Sequence, residues 1–134
     1  MILSSLERYR DFGLLLLRIG FGAMFVYHGG PKLIGGPETW SRIGGAMANY
    51  GITAAPALWG FLAAVSELGG GVCLILGFAM RPACFFLLST MIVAATHHLA
   101  RGDGLAGASH AIEDGIVFLA LIIVGPGRYS IDKR

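Results

Sequence analysis

The stretch FGLLLLRIGFGAMFVYHGG, residues 12–30, decides the fold, because it is a nearly unbroken apolar run with one cation, Arg18, in its interior. Three more apolar stretches follow, at residues 56–78, 82–100 and 108–125. Each is close to the roughly 20 residues that a helix needs to cross a lipid bilayer. The sequence therefore predicts four membrane-spanning helices.

The overall composition supports the same interpretation. Hydrophobic residues make up 55% of the chain and charged residues 13%, and the mean hydropathy is +0.71, well outside the range of soluble globular domains. Four spans with short connections leave no room for a separate soluble domain in 134 residues. We predict an all-α integral membrane protein, an antiparallel four-helix bundle in which residues 1–134 form one domain.

The charges predict an orientation rather than a nucleic-acid partner. The formal net charge of +2 is small and dispersed, and no run of Lys or Arg resembles a polybasic tract for nucleic acid or lipid. If all four stretches span, one side carries Arg8, Arg10, Arg81, Arg128, Lys133 and Arg134, and the other side carries Lys32, Arg42 and Arg101. By the positive-inside tendency, we expect both termini in the cytoplasm and the first stretch retained as a helix rather than removed as a signal peptide.

The segment between the first two spans is too polar to cross the membrane. We expect the first helix to end near Gly29-Gly30-Pro31. Beyond it, apolar residues recur at three- and four-residue steps, which places them on one face if Pro37 and Glu38 open a helix: Trp40, Ile43, Met47 and Tyr50. We predict a short outer-surface helix that lies in the interface or caps the bundle. An irregular glycine-rich loop is the alternative.

Small residues mark the second helix. Gly69, Gly70 and Gly71 directly follow Glu67 and would let a neighbouring helix approach closely. The short connection before Pro82 predicts that the second and third helices form an antiparallel hairpin. Cys73 and Cys84 form no CxxC pair, and we interpret them as buried small hydrophobic residues.

Two opposite charges are expected near the middle of the bilayer. Counting at about 1.5 Å per residue from the outer helix ends puts Arg18 and Glu67 at similar depths, roughly 16–18 Å below the surface. An unpaired charge at that depth is costly. We therefore predict an Arg18–Glu67 ion pair.

Several polar side chains are predicted to share one outer layer. By the same count the four histidines lie within about one turn of the outer surface: His28, His97, His98 and His110. Glu113 and Asp114 lie one to two turns deeper, and with His110 they follow the i, i+3, i+4 pattern of a single helix face. We expect that face to point into the bundle.

This layer is suited to proton-coupled chemistry. Histidine titrates near neutral pH, and a partly buried carboxyl can move toward the same range. A quinone ring at the outer leaflet could accept hydrogen bonds from the histidines and exchange protons with Glu113 or Asp114. Hydrogen bonding between helices, without chemistry, is the alternative. His110 and Glu113, three residues apart on one helix, could also hold a metal ion. However, carboxylate metal sites in helix bundles use several His/Glu pairs of this kind, and this chain has one. We therefore predict no metal site.

Motifs along nearly the whole chain resemble those of the DoxX-like membrane proteins. The first helix carries Leu17-Arg18-Ile19-Gly20, Phe25-Val26-Tyr27-His28-Gly29 and Lys32-Leu33. The hairpin carries Glu67-Leu68-Gly69-Gly70, Leu76-Gly77-Phe78 and Arg81-Pro82-Ala83, and the chain ends on Gly125-Pro126-Gly127-Arg128-Tyr129-Ser130-Ile131-Asp132. The resemblance implies a bacterial inner-membrane protein related to the small membrane subunit of thiosulfate:quinone oxidoreductase. Related bundles act as assembly or cargo factors.

These observations together give a functional hypothesis. We expect a quinone-associated membrane subunit of an oxidoreductase for reduced sulfur or thiol compounds, with a soluble oxidoreductase subunit, membrane lipid or further copies of the chain as partners. The catalytic candidates are His110, Glu113, Glu67 and Arg18. The cofactor-binding candidates are His28, His97, His98, Asp114 and Lys32. The alternative is a non-catalytic membrane scaffold or a protein that binds a small molecule or a partner. A transporter is a weaker alternative, because the chain shows no inverted repeat.

Overall fold

The helices form where the apolar stretches predict them. The computed structural model describes residues 2–133, so Arg134, one of the cations in the orientation argument, lies outside the described residues. A 3-10 turn, Ser4–Tyr9, leads into the helices α1 (Arg10–Ile34), α2 (Gly36–Gly44), α3 (Pro56–Leu76), α4 (Met80–Ala100) and α5 (Gly104–Val124). A second 3-10 segment, Gly45–Tyr50, continues α2.

Four of these helices are long and apolar enough to cross a membrane: α1 with its preceding turn, α3, α4 and α5. Many of their large apolar side chains point outward, among them Leu16, Leu62, Phe86 and Leu119. In lipid such side chains need no cover, whereas every backbone polar group must be satisfied within its own helix. The prediction of an all-α four-helix membrane bundle is confirmed.

Helix α1 extends further than the sequence predicts. The expected end near Gly29-Gly30-Pro31 is wrong, because α1 continues through Pro31 to Ile34. Pro31 sits in the last turn, so its missing N–H removes only one hydrogen bond near the helix end. The Pro31 carbonyl still accepts a hydrogen bond of 2.9 Å from the Gly35 amide, which closes the final turn.

The short helix between the first two spans is confirmed. Helix α2 begins at Gly36 with Pro37 in its first turn, as expected for a proline that lacks the unneeded N–H. It packs across the first turns of α3, where the Trp40 and Phe61 rings meet at a centroid distance of 4.9 Å. In the 3-10 segment the Tyr50 hydroxyl donates to Thr96 Oγ1 at 2.6 Å, which ties this end to α4.

The bundle is open along one seam. Helix α1 packs on α3, α3 on α4, and α4 on α5, but among residues 2–133 no Cα atom of α1 comes within 8 Å of one of α5. Those two helices meet through aromatic rings, since Phe118 lies 5.0 Å from Phe25 and 6.1 Å from Phe21 between ring centroids. We call the end of the bundle where α1 begins and α5 stops the terminal end, and the opposite end the α2 end.

The buried core lies between these helices and includes Leu74, Met80, Cys84, Leu87 and Phe118. Cys84 is fully buried there and Cys73 is half-buried, and both are free thiols.

Helices α1 and α3 touch backbone to backbone. A Cβ atom added to Gly71 would lie 2.6 Å from the Gly22 carbonyl oxygen and 2.9 Å from the Val26 amide nitrogen. Gly69, two residues earlier on α3, has no such neighbour within 4 Å. The predicted role of the glycine run in close helix packing is therefore confirmed for Gly71 and not for Gly69.

This difference gives a matched test. Gly71→Ala is expected to destabilise the protein by about 1–3 kcal/mol, because backbone cannot yield to an added methyl group as a side-chain tip can. Gly69→Ala should be neutral or slightly stabilising, since alanine favours helix over glycine. Thermal unfolding of both variants in detergent micelles, followed by circular dichroism, measures the difference. Equal melting temperatures would contradict the close α1–α3 contact.

Candidate functional site

The open seam between α1 and α5 forms a cavity of about 470 Å³, here called the α1–α5 groove. Its apolar wall comes mostly from α1 and consists of Leu16, Leu17, Gly20, Phe21, Met24 and Phe25. Its three polar lining residues are His28, His110 and Asp114. The groove thus has a long apolar side and one polar end, which lies toward the α2 end of the bundle.

The polar end combines one buried carboxylate with two imidazoles. Asp114 is 8% exposed, and its Oδ2 atom lies 3.4 Å from His110 Nε2. The His28 ring faces that of His110 from the other helix at a centroid distance of 6.2 Å. The His110 side chain is 75% exposed, so it connects the buried carboxylate to the outside of the bundle. This arrangement can donate hydrogen bonds to an oxygen in the groove and pass a proton outward.

The structure separates Glu113 from this site. We expected His110, Glu113 and Asp114 to point into the bundle together, but Glu113 is exposed and does not line the groove. Successive helical residues are turned by about 100° around the axis. Since Asp114 points inward, its predecessor on the helix must point well away from it. The i, i+3, i+4 pattern was therefore too coarse to place Glu113.

His97 and His98 lie near the α2 end but not in the groove. His97 Nδ1 lies 3.2 Å from Asn49 Nδ2, and His98 Nδ1 lies 2.8 Å from Asp103 Oδ2. The hydrogen bond from His98 is the main reason that the pKa of the Asp103 carboxyl is lowered, with the charge of Arg101 contributing. His97 therefore fastens the end of α4 to the 3-10 segment Gly45–Tyr50, and His98 fastens it to the connection before α5. Among residues 2–133, no three His, Cys, Asp or Glu side chains are close enough to hold a metal ion.

Glu67 pairs with Lys32 and not with Arg18. Lys32 Nζ lies 2.9 Å from both Glu67 Oε1 and Oε2. Glu67 is 4% exposed, so this ion pair neutralises a carboxylate buried between α1 and α3. The Lys32 carbonyl also accepts a hydrogen bond of 3.0 Å from Trp40 Nε1, which ties the pair to α2. Neither Lys32 nor Glu67 lines the α1–α5 groove.

Arg18 lies near the terminal end, where it binds backbone carbonyl groups. Its Nε donates to Leu74 O at 3.0 Å and its Nη2 to Ile75 O at 3.3 Å, both in the last turn of α3. Its Nη1 donates to Pro126 O at 2.7 Å and to Tyr129 O at 2.8 Å in the C-terminal segment. The predicted Arg18–Glu67 ion pair is wrong, and Arg18 instead holds the end of the bundle together.

The depth count failed because α1 and α3 are offset along the bundle. The backbone of Gly29 faces Glu67, and a Cβ atom there would lie 2.9 Å from Glu67 Cβ. Arg18 lies 11 residues before Gly29, or about 16 Å along α1 at the usual rise. The count assumed that α1 ends at residue 30, whereas the helix runs on to Ile34.

The sequence reasoning missed the apolar wall of the groove. Its signal is present in α1, where Leu17, Phe21, Met24 and His28 recur at three- and four-residue steps and so share one helix face. In a helix that is apolar on all sides, this stripe does not stand out from the lipid-facing positions. The spacing alone therefore could not mark it as the wall of a cavity.

Comparison with known proteins agrees with this architecture. The family model DoxX matches residues 13–99. The chain is 32% identical to the inner membrane protein YphA of Escherichia coli K12, over 95% of this chain and 97% of that protein. It is 30% identical to an uncharacterized protein of Haemophilus influenzae, over 98% and 97% of the two chains. It is 29% identical to the inner membrane protein YqjF of E. coli K12, over 96% and 95%. No solved structure matches significantly.

Proposed function

The chain belongs to the DoxX family of membrane proteins, and we propose that it binds an isoprenoid quinone in the α1–α5 groove. In this proposal it serves as the membrane subunit of an oxidoreductase that acts on reduced sulfur or thiol compounds. The relatives named as inner membrane proteins and the excess of cations on the terminal side support an inner-membrane location with both termini in the cytoplasm.

The observation that carries the proposal is the groove itself. Its volume of about 470 Å³ falls within the range of about 300–1,000 Å³ usual for small-molecule pockets. Such pockets are mostly apolar with a few convergent polar groups. The polar end would hold the carbonyl oxygens of a quinone ring through His28 and His110, and the wall around Phe21 and Met24 would hold its apolar portion.

The described residues also suit the chemistry. A bound quinone supplies an acceptor for two electrons and two protons. Asp114 can hold a proton at Oδ2 inside the groove, and His110, 3.4 Å away and mostly exposed, can exchange that proton with the outside. The electrons would come from a partner subunit that oxidises reduced sulfur or a pair of thiols, because this chain has no CxxC pair of its own.

Quinone binding can be measured directly. The protein is placed in lipid nanodiscs free of quinone and titrated with decylubiquinone and with menadione, with microscale thermophoresis as the readout. We expect saturable binding, and about a tenfold or greater rise in Kd for His110→Ala, which removes a hydrogen-bonding imidazole, and for Asp114→Asn, which removes the carboxylate that faces His110. Glu113→Gln is the matched control, because this carboxylate is next in sequence to Asp114 but exposed. It should bind like the wild type.

A second variant tests the apolar wall. Gly20 lines the groove, and a Cβ atom there would meet nothing within 4 Å. Gly20→Leu should therefore fold normally, fill part of the groove and abolish quinone binding. Unchanged binding in Gly20→Leu, or no saturable binding in the wild type, would rule out the groove as a quinone site. The second result would favour the non-catalytic scaffold.

A further inference from the structure

The terminal end of the bundle contains a second cavity, of about 620 Å³, which we call the terminal-end cavity. It lies far from the polar end of the α1–α5 groove and is independent of the proposed quinone site. Three cations from distant parts of the chain line it: Arg10 at the start of α1, Arg81 at the start of α4 and Lys133 after α5. Apolar side chains line it as well, among them Leu14, Pro82 and Val124.

The cavity has an excess of positive charge. Its one lining carboxylate is Asp132, which is already engaged, because Oδ1 accepts a hydrogen bond of 2.8 Å from the Ala79 amide and Oδ2 one of 2.9 Å from the Met80 amide. Neither Arg81 nor Lys133 forms a salt bridge with any carboxylate among residues 2–133. Arg81 and Lys133 are therefore available to an added anion.

Arg81 is held in place for such an anion. Its Nε donates to Ile122 O at 2.8 Å, which fixes the guanidinium against the end of α5. The group passes over Gly125, where a Cβ atom would lie 2.8 Å from Nη2 and where φ is +86°. Glycine at position 125 thus permits both the positive φ of the backbone there and the path of the Arg81 side chain across it. The two terminal nitrogens remain, and their planar fork matches the oxygen atoms of a phosphate.

The position of the terminal-end cavity and the residues that line it together indicate the class of ligand. The cavity lies where four apolar spans end, which in a bilayer is the level of the lipid headgroups. Basic pockets between membrane helices on the cytoplasmic side bind anionic headgroups. We propose that the terminal-end cavity binds the phosphate group of an anionic phospholipid, with its acyl chains leaving along the apolar side. A free phosphate ion would use the cations but leave the apolar side chains without a partner.

The sequence predicted that these three cations share one side of the membrane, but it could not show that they line one cavity. It contains no polybasic run, and the three cations are separated by tens of residues. The fold brings them together because the start of α1, the start of α4 and Lys133 lie at the same end of the bundle.

The proposal can be tested with the intact protein in dodecyl maltoside. Native mass spectrometry would compare the binding of phosphatidylglycerol with that of phosphatidylcholine of the same acyl chains. We expect one tightly bound phosphatidylglycerol and weaker binding of the zwitterionic lipid. The double variant Arg10→Gln/Lys133→Gln should weaken phosphatidylglycerol about 25-fold, or about fivefold for each charge removed. Both side chains are exposed and neither makes a hydrogen bond that the fold needs, so this variant should fold.

Arg128→Gln is the matched control, because Arg128 is an exposed cation in the C-terminal segment that does not line the cavity. It should bind phosphatidylglycerol like the wild type. An equal loss in Arg128→Gln would show that general surface charge attracts the lipid, and the proposal would be overturned. Equal affinity for the two lipids would overturn it too. So would displacement of the lipid by millimolar inorganic phosphate, which would identify a site for the free anion.

Discussion

Replacing Arg18 with glutamine is expected to destabilise the protein by about 3–5 kcal/mol, a large fraction of the free energy of unfolding of a typical domain. Arg18 is 1% exposed and donates four hydrogen bonds to backbone carbonyls, two in the last turn of α3 and two in the C-terminal segment. Hydrogen bonds to a charged group contribute about 1.5–3 kcal/mol each, and a buried carbonyl left without a donor carries a further cost. Thermal unfolding in detergent micelles, followed by circular dichroism, measures the loss.

Two controls separate the geometry of Arg18 from its charge. Arg18→Lys keeps the charge, but an ammonium group on a flexible stem cannot bind both chain segments with a planar fork, so its melting temperature should fall between those of wild type and Arg18→Gln. Arg42→Gln removes an exposed cation of α2 and should leave stability unchanged. A wild-type melting temperature for Arg18→Gln would mean that these hydrogen bonds do not hold the terminal end together.

The second large effect is expected at the Lys32–Glu67 ion pair and should be asymmetric. Lys32→Met leaves the carboxylate of Glu67, which is 4% exposed, buried without a partner, and such a change typically costs about 3–5 kcal/mol. Glu67→Gln should cost less, because the Lys32 side chain is 37% exposed and its ammonium group can turn toward water. Melting temperatures of the two single variants in the same detergent would show this difference.

A double variant completes the test of the ion pair. Lys32→Met/Glu67→Leu removes both charges and should recover most of the stability lost in Lys32→Met, since a buried ion pair can often be replaced by apolar side chains. Arg42→Met is the matched loss of an exposed cation. If Lys32→Met alone were as stable as Arg42→Met, the ion pair would have no structural role.

Because Arg18 and Glu67 do not contact each other, Arg18→Gln and Glu67→Gln should have additive effects.

These contacts give a physical reason for the family motifs. Arg18, Lys32, Glu67 and Arg81 occupy motif positions, and in the structure each bonds one helix to another or to the C-terminal segment. The residues proposed to act on a quinone, in contrast, include His110 and Asp114, which lie outside the quoted motifs and outside the matched residues 13–99. Family membership therefore predicts the architecture of this chain more directly than it predicts a reaction.

Much of the fold could be predicted from the sequence because membrane helices are specified by local composition. Apolar runs of sufficient length gave the four spans, since no other regular structure of a single segment satisfies its backbone in lipid. Pro37 and the spacing from Trp40 onward predicted α2, and the glycine run in α3 predicted a close helix contact. Each of these signals depends on residues within a few turns of one another.

Tertiary structure decided the partners of Arg18 and Glu67 and which side chains of α5 face inward. An offset of about 16 Å along α1 separated Arg18 from Glu67, and the rotation of α5 in the bundle turned Asp114 inward and left Glu113 exposed. The sequence specifies the order of residues along each helix but not the axial shift or the rotation of one helix against the next. Those two quantities depend on contacts between distant residues, such as Gly22 with Gly71 and Phe25 with Phe118. Because electrostatic and hydrogen-bonding partners must lie within a few ångströms of each other, they were settled only when the helices packed.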